Sequence, residues 1–247
     1  MTRQVLLIDQ GNTRIKWAGA VGEEIDPNRF GYGTPEVFEK AMGELPWWPD
    51  EVTISSVAGA DQQQAIARYC RSLWGLEAKC LNSMSEQGGV RNAYRDPSTL
   101  GVDRWLAIVG AVSRYGKPVV IWDMGTASTL DAVDSNGRHL GGMIYPGPAT
   151  MLRSLKKDTG LNVPDDFEEA GIISWVGAGQ NTDVCILKGV LAAQVGTLNQ
   201  FLRHVSLQMD REPQLIATGG AAERILPLVD FVKIHDPGLV CRGLLGE

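Results

Sequence analysis

Two short turns in the sequence place a carboxylate, a glycine and a hydroxyl group close together. The first is Asp9-Gln10-Gly11-Asn12-Thr13, which follows an apolar run and is followed by Lys16. Its backbone N–H groups and the Thr13 hydroxyl can hold phosphate oxygens, Asp9 can hold Mg²⁺ through water, and Lys16 can add positive charge. An ordinary hairpin in which an Asp or Asn caps its own turn would explain a single copy equally well.

The second turn repeats the first about half the chain length later, as Asp123-Met124-Gly125-Thr126. A repeat on this scale indicates an internal duplication, and duplicated halves can present both turns to one nucleotide. A third turn, Thr218-Gly219-Gly220, would let the backbone approach an adenine or ribose closely. A glycine pair between a strand and a helix, however, often serves only the backbone conformation of the turn and binds no ligand. The sequence contains neither a GxxxxGK[ST] loop nor a GxGxxGxV loop, so the two commonest phosphate-binding designs are absent from it.

The elements that would hold these turns alternate between strands and helices. Strands are predicted at 4–8, 15–21, 52–57, 118–122, 128–133 and 215–217. Helices are predicted at 35–42, at 61–74, from the run 100–105 through 115, at 182–202 and after 221. Residues 141–148 are predicted to be a Gly/Pro-rich connection, and residues 156–179 a mobile connection that could act as a lid. The pattern predicts an α/β protein with two domains, 1–116 and 117–247.

Composition limits the classes of partner. The formal net charge is −6 and the pI is about 5.2, which argues against a broad surface for nucleic acid or an anionic membrane. No apolar run reaches the 18 to 20 residues, roughly, of a membrane span, and the N-terminus lacks a signal-peptide pattern, so a cytoplasmic location is expected. The four cysteines are widely spaced and are interpreted as reduced structural thiols.

The motifs, taken in order, carry a family resemblance. They are DQGNTRIKW at 9–17, NAY at 92–94, GVDR at 101–104, DMGTA at 123–127, GGMIYPG at 141–147, NT at 181–182 and TGG at 218–220. Together they resemble the type III pantothenate kinases, also called Bvg accessory factor proteins, of the actin, Hsp70 and sugar-kinase superfamily. The resemblance spans nearly the whole chain, and it implies two ribonuclease H-like domains with a nucleotide cleft between them.

The resemblance also implies roles for individual residues. Those that would contact ATP are Asp9, Gln10, Gly11, Asn12, Thr13, Arg14, Ile15, Lys16 and Thr126, to which the glycine turn itself adds Gly219 and Gly220. Those that would contact pantothenate are Tyr94, Gly101, Val102, Asp103, Arg104 and Thr182. Asp103 would be the proton acceptor, and Asp123 would help to hold a monovalent cation, K⁺ or NH₄⁺. Mg²⁺ and a homodimer are also implied.

The chemistry of Asp103 and Arg104 suits this substrate. Pantothenate carries a carboxylate and a primary hydroxyl, so the planar guanidinium of Arg104 can pair with the carboxylate while Asp103 accepts the hydroxyl proton. The alternative interpretation makes Asp103 a first-turn acid that stabilises a helix N-terminus and Arg104 a member of a surface ion pair.

The function predicted from these residues is ATP-dependent phosphorylation of pantothenate to 4′-phosphopantothenate, with Asp103 as general base. One alternative is a related superfamily member that phosphorylates a sugar or hydrolyses a phosphoanhydride. Another is a regulatory protein that acts in transcription and uses the nucleotide as a switch, against which stand the acidic charge and the lack of a basic stripe.

Overall fold

The computed structural model of the chain describes residues 2–165, 177–229 and 233–246. These residues form two units. One consists of the described residues up to Gly116 together with those from Gly238 onward, and the other is Lys117–Pro237. Among the described residues, no helix combines the length and the apolar character that crossing a bilayer requires.

The first unit is built on a five-stranded sheet. Its strands are β1 (Gln4–Gln10), β2 (Ile15–Val21), β3 (Glu24–Gly33), β4 (Glu51–Ser56) and β5 (Lys79–Cys80), in the order β3-β2-β1-β4-β5. The first three strands form an antiparallel meander, while β4 pairs parallel with β1 and β5 parallel with β4. Strand β1 lies at the centre because its apolar run is buried on both faces, as expected for a strand covered by helices on each side.

Three helices follow in this unit: α1 (Pro35–Gly43), α2 (Ala60–Trp74) and α3 (Val102–Tyr115). Buried side chains of α1 and α2, among them Phe38 and Cys70, pack on the sheet face that carries Leu6, Ile8 and Trp17. A short hairpin, β6 (Glu86–Gln87) with β7 (Val90–Arg91), and a 3₁₀ turn at Pro97–Thr99 lead into α3.

The second unit repeats the sheet of the first. Its strands are β8 (Val119–Met124), β9 (Ala127–Val133), β10 (His139–Pro146), β11 (Gln214–Thr218) and β12 (Lys233–His235), in the order β10-β9-β8-β11-β12. The pairing directions are also the same, since β8, β9 and β10 are antiparallel neighbours and β11 is parallel to both β8 and β12. The predicted duplication is therefore confirmed at the level of topology.

Strand β10 corrects the prediction of a connection at 141–148. Glycine and proline weaken a strand pattern, but residues 139–146 gain backbone pairing with β9 at the edge of the sheet, where few side chains have to pack. Helices α4 (Pro148–Asp158), α5 (Thr182–Ser206) and α6 (Ala222–Ile225) complete this unit, and a 3₁₀ turn follows at Leu226–Leu228.

The segment 156–179, which was predicted to be a mobile connection, begins within a helix. Its first residues belong to α4, and Val163 is buried against Leu187 and Val190 of α5. Residues 166–176 lie outside the described part of the chain, so the lid stays a prediction.

A last helix, α7 (Leu239–Leu245), belongs to the first unit, whereas the sequence analysis placed residues 117–247 together in the second domain. It packs against α3, and both helices also contact the sheet of the first unit. Two glycines allow the helices to come this close: a Cβ on Gly110 would lie 2.6 Å from the Leu239 carbonyl oxygen, and one on Gly243 would overlap the Leu106 backbone. Apolar burial between sequence-distant segments thus overrides the simple division of the chain into halves.

Candidate active site

The first candidate phosphate turn joins the central strand β1 to β2. Asp9 lies opposite Lys16 and Gln10 opposite Ile15, and the Gly11 N–H donates to the Arg14 carbonyl at 3.0 Å to close the turn. Asn12, Thr13 and Arg14 are exposed at its tip. The turn therefore presents polar side chains to solvent from the end of a rigid, buried strand.

The neighbouring strand β4 holds the base of this turn. Ser55 donates its hydroxyl to Asp9 Oδ1 at 3.0 Å, and Ser56 donates to Gln10 Oε1 at 2.8 Å. Asp9 is only 7% exposed, so this hydrogen bond fixes one oxygen of a nearly buried carboxylate. The two serines lie near the end of the strand predicted at 52–57, and their role was not predicted because it depends on the pairing of that strand with β1.

Asp9 is suited to a divalent cation that also binds phosphate. Mg²⁺ in such sites takes one or two carboxylates and completes its shell with water and substrate phosphates. Among residues 2–165, 177–229 and 233–246, no group of three or more His, Cys, Asp or Glu side chains could hold a metal ion. A cation at Asp9 would take its remaining oxygen ligands from a bound phosphate and from water.

The second turn also joins two antiparallel strands, β8 and β9, but it is shorter than the first, since it consists of Gly125 and Thr126 alone whereas residues 11–14 separate β1 from β2. The Gly125 N–H donates to the Ala127 carbonyl at 3.1 Å, and Thr126 is exposed. The Thr126 carbonyl accepts two bonds, from the Gly147 N–H at 3.0 Å and from the Thr150 hydroxyl at 2.7 Å. The start of α4 thus supports the turn from behind, which the sequence interpretation of 141–148 as a connection missed.

The glycine pair lies beside this second turn. Strand β11 places Thr218 opposite Asp123, and the Ala221 N–H donates to the Met124 carbonyl at 3.1 Å. Gly219 has a φ of +92°, and a Cβ there would overlap Asp123 Oδ1 and the Met124 backbone. Only glycine fits, so the second turn and the TGG turn form one continuous surface.

Asp123 is suited to a cation of the type that prefers oxygen ligands. Asp123 is half-buried at the end of β8, and its Oδ1 lies against Gly219 of the TGG turn. Monovalent cations such as K⁺ are held by carbonyl and carboxylate oxygens. A single carboxylate does not fill such a shell, so backbone carbonyls and water would supply the rest.

The predicted substrate residues of the first unit lie at the N-terminus of α3. Gly101 precedes the helix, and a Cβ on it would lie only 2.7 Å from Asp103 Oδ1, so a glycine here leaves room for the carboxylate. The same oxygen accepts the Arg104 N–H at 2.7 Å. Asp103 is half-buried, and the positive end of the helix dipole stabilises its negative charge.

Arg104 is not part of a surface ion pair, because it is only 7% exposed. Its Nη1 donates to the Tyr94 hydroxyl at 3.0 Å, and its guanidinium carbon lies 5.9 Å from the centre of the Tyr94 ring. Two residues predicted to contact the substrate, ten positions apart in sequence, therefore contact each other. A buried guanidinium at a helix start is a strong recognition point for a carboxylate.

The segment before α3 is held by hydrogen bonds that the sequence analysis did not identify. Ser83 donates its hydroxyl to the Leu100 carbonyl at 2.7 Å, and the Trp105 indole N–H donates to Gln87 Oε1 at 2.9 Å. Asn92 accepts the Tyr94 N–H at 3.0 Å. These bonds hold the Tyr94 backbone and the segment that leads into α3.

Thr182, the remaining predicted substrate contact, lies in the second unit. It is the first residue of α5, is exposed, and follows Asn181, whose side chain caps the helix by accepting the Val184 N–H at 2.9 Å. The first turn, Tyr94 and residues 101–104 thus belong to the first unit, whereas Thr182, the second turn and the glycine pair belong to the second.

Comparison with known proteins gives one consistent result. A family model described as type III pantothenate kinase matches residues 5–204. A type III pantothenate kinase from Nitrosococcus oceani is 35% identical over 250 residues, which cover 97% of this chain and 92% of that protein. A type III pantothenate kinase from Alcanivorax borkumensis is 33% identical over 242 residues, which cover 97% of this chain and 96% of that protein.

Solved structures share the fold at low sequence identity. A protein from Campylobacter jejuni described as a Baf family transcriptional activator has a TM-score of 0.61 at 20% identity, covering 97% of this chain and 94% of that one. The activator of 2-hydroxyisocaproyl-CoA dehydratase from Clostridium difficile, solved with bound ADPNP, has a TM-score of 0.54 at 14% identity, covering 100% of this chain and 92% of that one. The chain thus shares the fold of these solved structures, and the predicted α/β fold class is confirmed.

Proposed function

This chain belongs to the type III pantothenate kinase family, and from that membership we propose that it transfers the γ-phosphate of ATP to the hydroxyl group of pantothenate, with Asp103 as general base. The product, 4′-phosphopantothenate, leads toward coenzyme A. The observation that supports the assignment most directly is the group at the start of α3, where the Asp103 carboxylate adjoins a buried Arg104 that contacts Tyr94.

Asp103 takes the proton from the attacking hydroxyl. Its Oδ1 is fixed by the Arg104 N–H, which leaves Oδ2 as the atom that we assign to the substrate hydroxyl. In the loose transition state of phosphoryl transfer, bonding to the nucleophile is slight, so the base mainly orients the hydroxyl and receives its proton late. An ionised aspartate held within roughly 2.6 to 3.2 Å of the hydroxyl is sufficient for this role.

Arg104 and Tyr94 recognise the pantothenate carboxylate. The guanidinium can bind both carboxylate oxygens, and the Tyr94 hydroxyl, which accepts from Arg104, can donate its own hydrogen to the substrate. Because Arg104 is buried, its attraction for a carboxylate is screened less by water than it would be on the surface. Gly101 and Val102 shape the backbone beside the substrate, and Thr182 of α5 adds a hydroxyl.

The nucleotide is assigned to the two turns and the glycine pair. Residues Asp9 to Lys16 supply N–H groups, hydroxyls and positive charge for phosphate oxygens, and Thr126, Gly219 and Gly220 supply the corresponding groups of the second unit. Their common design, a glycine turn at the end of a buried strand, gives pre-oriented donors that need little rearrangement when charge develops.

Asp9 would hold Mg²⁺ and Asp123 a monovalent cation, K⁺ or NH₄⁺. When bound, these ions neutralise charge on the phosphate oxygens. The protein's own part is to keep the two carboxylates oriented, through Ser55 at Asp9 and through the close approach of Gly219 at Asp123.

We also propose a homodimer and a cytoplasmic location. The end strand β10 exposes Met143 at 36% and Ile144 at 63%, which favours its pairing with a second copy of the chain. The cytoplasm supplies the ATP that the reaction consumes. The net charge of −6 gives no support to a role on nucleic acid.

A coupled assay that detects ADP tests the function. Purified protein with ATP, Mg²⁺ and K⁺ should form ADP only when pantothenate is added, and mass spectrometry should show one phosphate added to pantothenate. ADP formation that is independent of pantothenate, or that appears instead with a sugar from a substrate panel, would contradict the proposal.

A further inference from the structure

A fully buried glutamine lies in the middle of helix α5. Gln194 has no exposed surface, and both ends of its amide are used. Its Oε1 accepts the Ser128 hydroxyl at 2.7 Å, and its Nε2 donates to the Pro146 carbonyl at 2.9 Å and approaches Met151 Sδ at 3.5 Å. A glutamine that is completely enclosed and fully hydrogen-bonded fixes the position of everything it touches, because breaking either bond would leave a buried polar group unsatisfied.

The two strong partners of Gln194 flank the second phosphate turn. Ser128 follows Thr126 by two residues on β9, and Pro146 immediately precedes Gly147, whose N–H donates to the Thr126 carbonyl at 3.0 Å. The same amide therefore holds the outgoing strand of the turn and the segment that supports the turn from behind. It adds a side-chain link from helix α5 to the place where β9 and β10 already pair through their backbones.

The surroundings extend this support. Tyr145 lies opposite Ser128 on β10, and its hydroxyl accepts the Trp122 indole N–H at 2.9 Å. Helix α5 is itself held in place by packing, because nine of its side chains are buried, among them Leu191 and Leu198 on either side of Gln194. The amide thus connects a rigid helix to a turn whose Thr126 side chain is exposed.

We propose that Gln194 is a positioning residue for the nucleotide: it sets the placement of the Thr126 turn on helix α5 and acts through that turn without contacting ATP. The proposal rests on the assignment of the second turn to ATP phosphates. Glutamine is required because the site needs one acceptor, for Ser128, and one donor, for Pro146. Leucine supplies neither, and an ionised glutamate supplies only the acceptor.

The test compares nucleotide binding in Gln194→Leu with that in Leu198→Ala. The first variant removes both hydrogen bonds at similar volume. The second creates a cavity in the same helix and lowers the melting temperature, but it removes no hydrogen bond to the turn. Calorimetry with a non-hydrolysable ATP analogue should show about tenfold weaker binding for Gln194→Leu and less than a twofold change for Leu198→Ala. In steady-state kinetics, KM for ATP should rise in parallel while KM for pantothenate changes less than twofold.

A third variant, Gln194→Glu, replaces the amide with a group that can be switched. When protonated, the carboxylic acid has the donor and acceptor of glutamine, and when ionised it loses the donor toward Pro146. Burial raises the pKa of a carboxyl group, so the change should fall within the measurable range. Tyr145, the titratable neighbour, stays protonated throughout because burial raises its pKa to about 12. Relative to wild type at the same pH, analogue binding by Gln194→Glu should be within threefold at pH 5.5 and about tenfold weaker at pH 8.5.

Analogue binding is independent of turnover, so the two proposals can fail separately. If wild-type protein binds the analogue but does not phosphorylate pantothenate, the proposed function fails and the calorimetry still decides the role of Gln194. Equal weakening by Leu198→Ala, or binding by Gln194→Leu within twofold of wild type, would overturn the positioning role. Should Gln194→Leu not fold, a ratio of Gln194→Glu to wild type that does not change with pH would overturn it instead.

Discussion

Replacing Asp103 with asparagine removes the proposed base and little else. The side-chain oxygen of the new amide can still accept the Arg104 N–H that Asp103 accepts at 2.7 Å, so the start of α3 keeps its shape. The helix loses one first-turn negative charge, which costs about 0.3 to 1 kcal/mol of stability. A positioned general base contributes roughly 10² to 10⁴ in rate, so kcat should fall by that factor while the melting temperature changes by only a few degrees.

Two measurements on Asp103→Asn separate a base from a binding residue. The ADP-coupled assay gives kcat, and calorimetry with an ATP analogue gives the dissociation constant of the nucleotide. This dissociation constant should stay within about twofold of wild type, because a base that acts in the transition state does not contribute to nucleotide binding. Asp96→Asn is the matched control: Asp96 is an exposed carboxylate seven residues earlier whose side chain accepts the Ser98 N–H, as an asparagine could. Turnover by Asp103→Asn within threefold of the Asp96→Asn control would refute the assignment of the base.

Three other variants or treatments probe contacts elsewhere in the first unit. Tyr94→Phe removes a hydrogen bond to the charged Arg104, worth about 1.5 to 3 kcal/mol. In steady-state kinetics, KM for pantothenate should therefore rise at least tenfold while KM for ATP stays constant, and an unchanged KM for pantothenate would contradict the recognition role. Gly243→Ala would force a methyl group into the Leu106 backbone, so thermal unfolding should show a loss of about 1 to 3 kcal/mol or more, and a variant as stable as wild type would disprove the close packing of α3 and α7. Burial raises the pKa of the Cys70 thiol to about 12, so the thiol stays protonated at pH 8 and should not react with iodoacetamide until the protein is unfolded in guanidinium. Peptide mapping that finds Cys70 alkylated in the native protein would refute its burial.

The hairpins that carry the two turns were predictable because local chemistry determines them. An apolar run that ends in Asp9, with a glycine two residues later, specifies a buried strand and a turn without reference to the rest of the chain, and the same holds at Asp123. Their repetition then predicted the duplicated topology. The roles of the individual side chains came from the family resemblance and stay predictions until the variants are measured.

What the sequence did not reveal depends on contacts between distant segments. The role of Ser55 depends on the pairing of β4 with β1. In the sequence, Gln194 is indistinguishable from any other polar residue of a helix, and only the folded chain places Ser128 and Pro146 beside it. Helix α7 is short and apolar, and no local pattern indicates that its partner is α3, more than a hundred residues earlier.

The return of α7 to the first unit has a consequence for how the protein is made. The ribosome must synthesise all of Lys117–Pro237 before the segment that completes the first unit emerges, which takes on the order of ten seconds at ordinary elongation rates. During that interval the surface of α3 around Gly110 lacks its cover, so the nascent chain has an apolar groove that a chaperone could occupy. Residues 1–116 expressed alone would lack α7, so an isolated first unit should be stable only when residues 238–247 are joined to it by a linker.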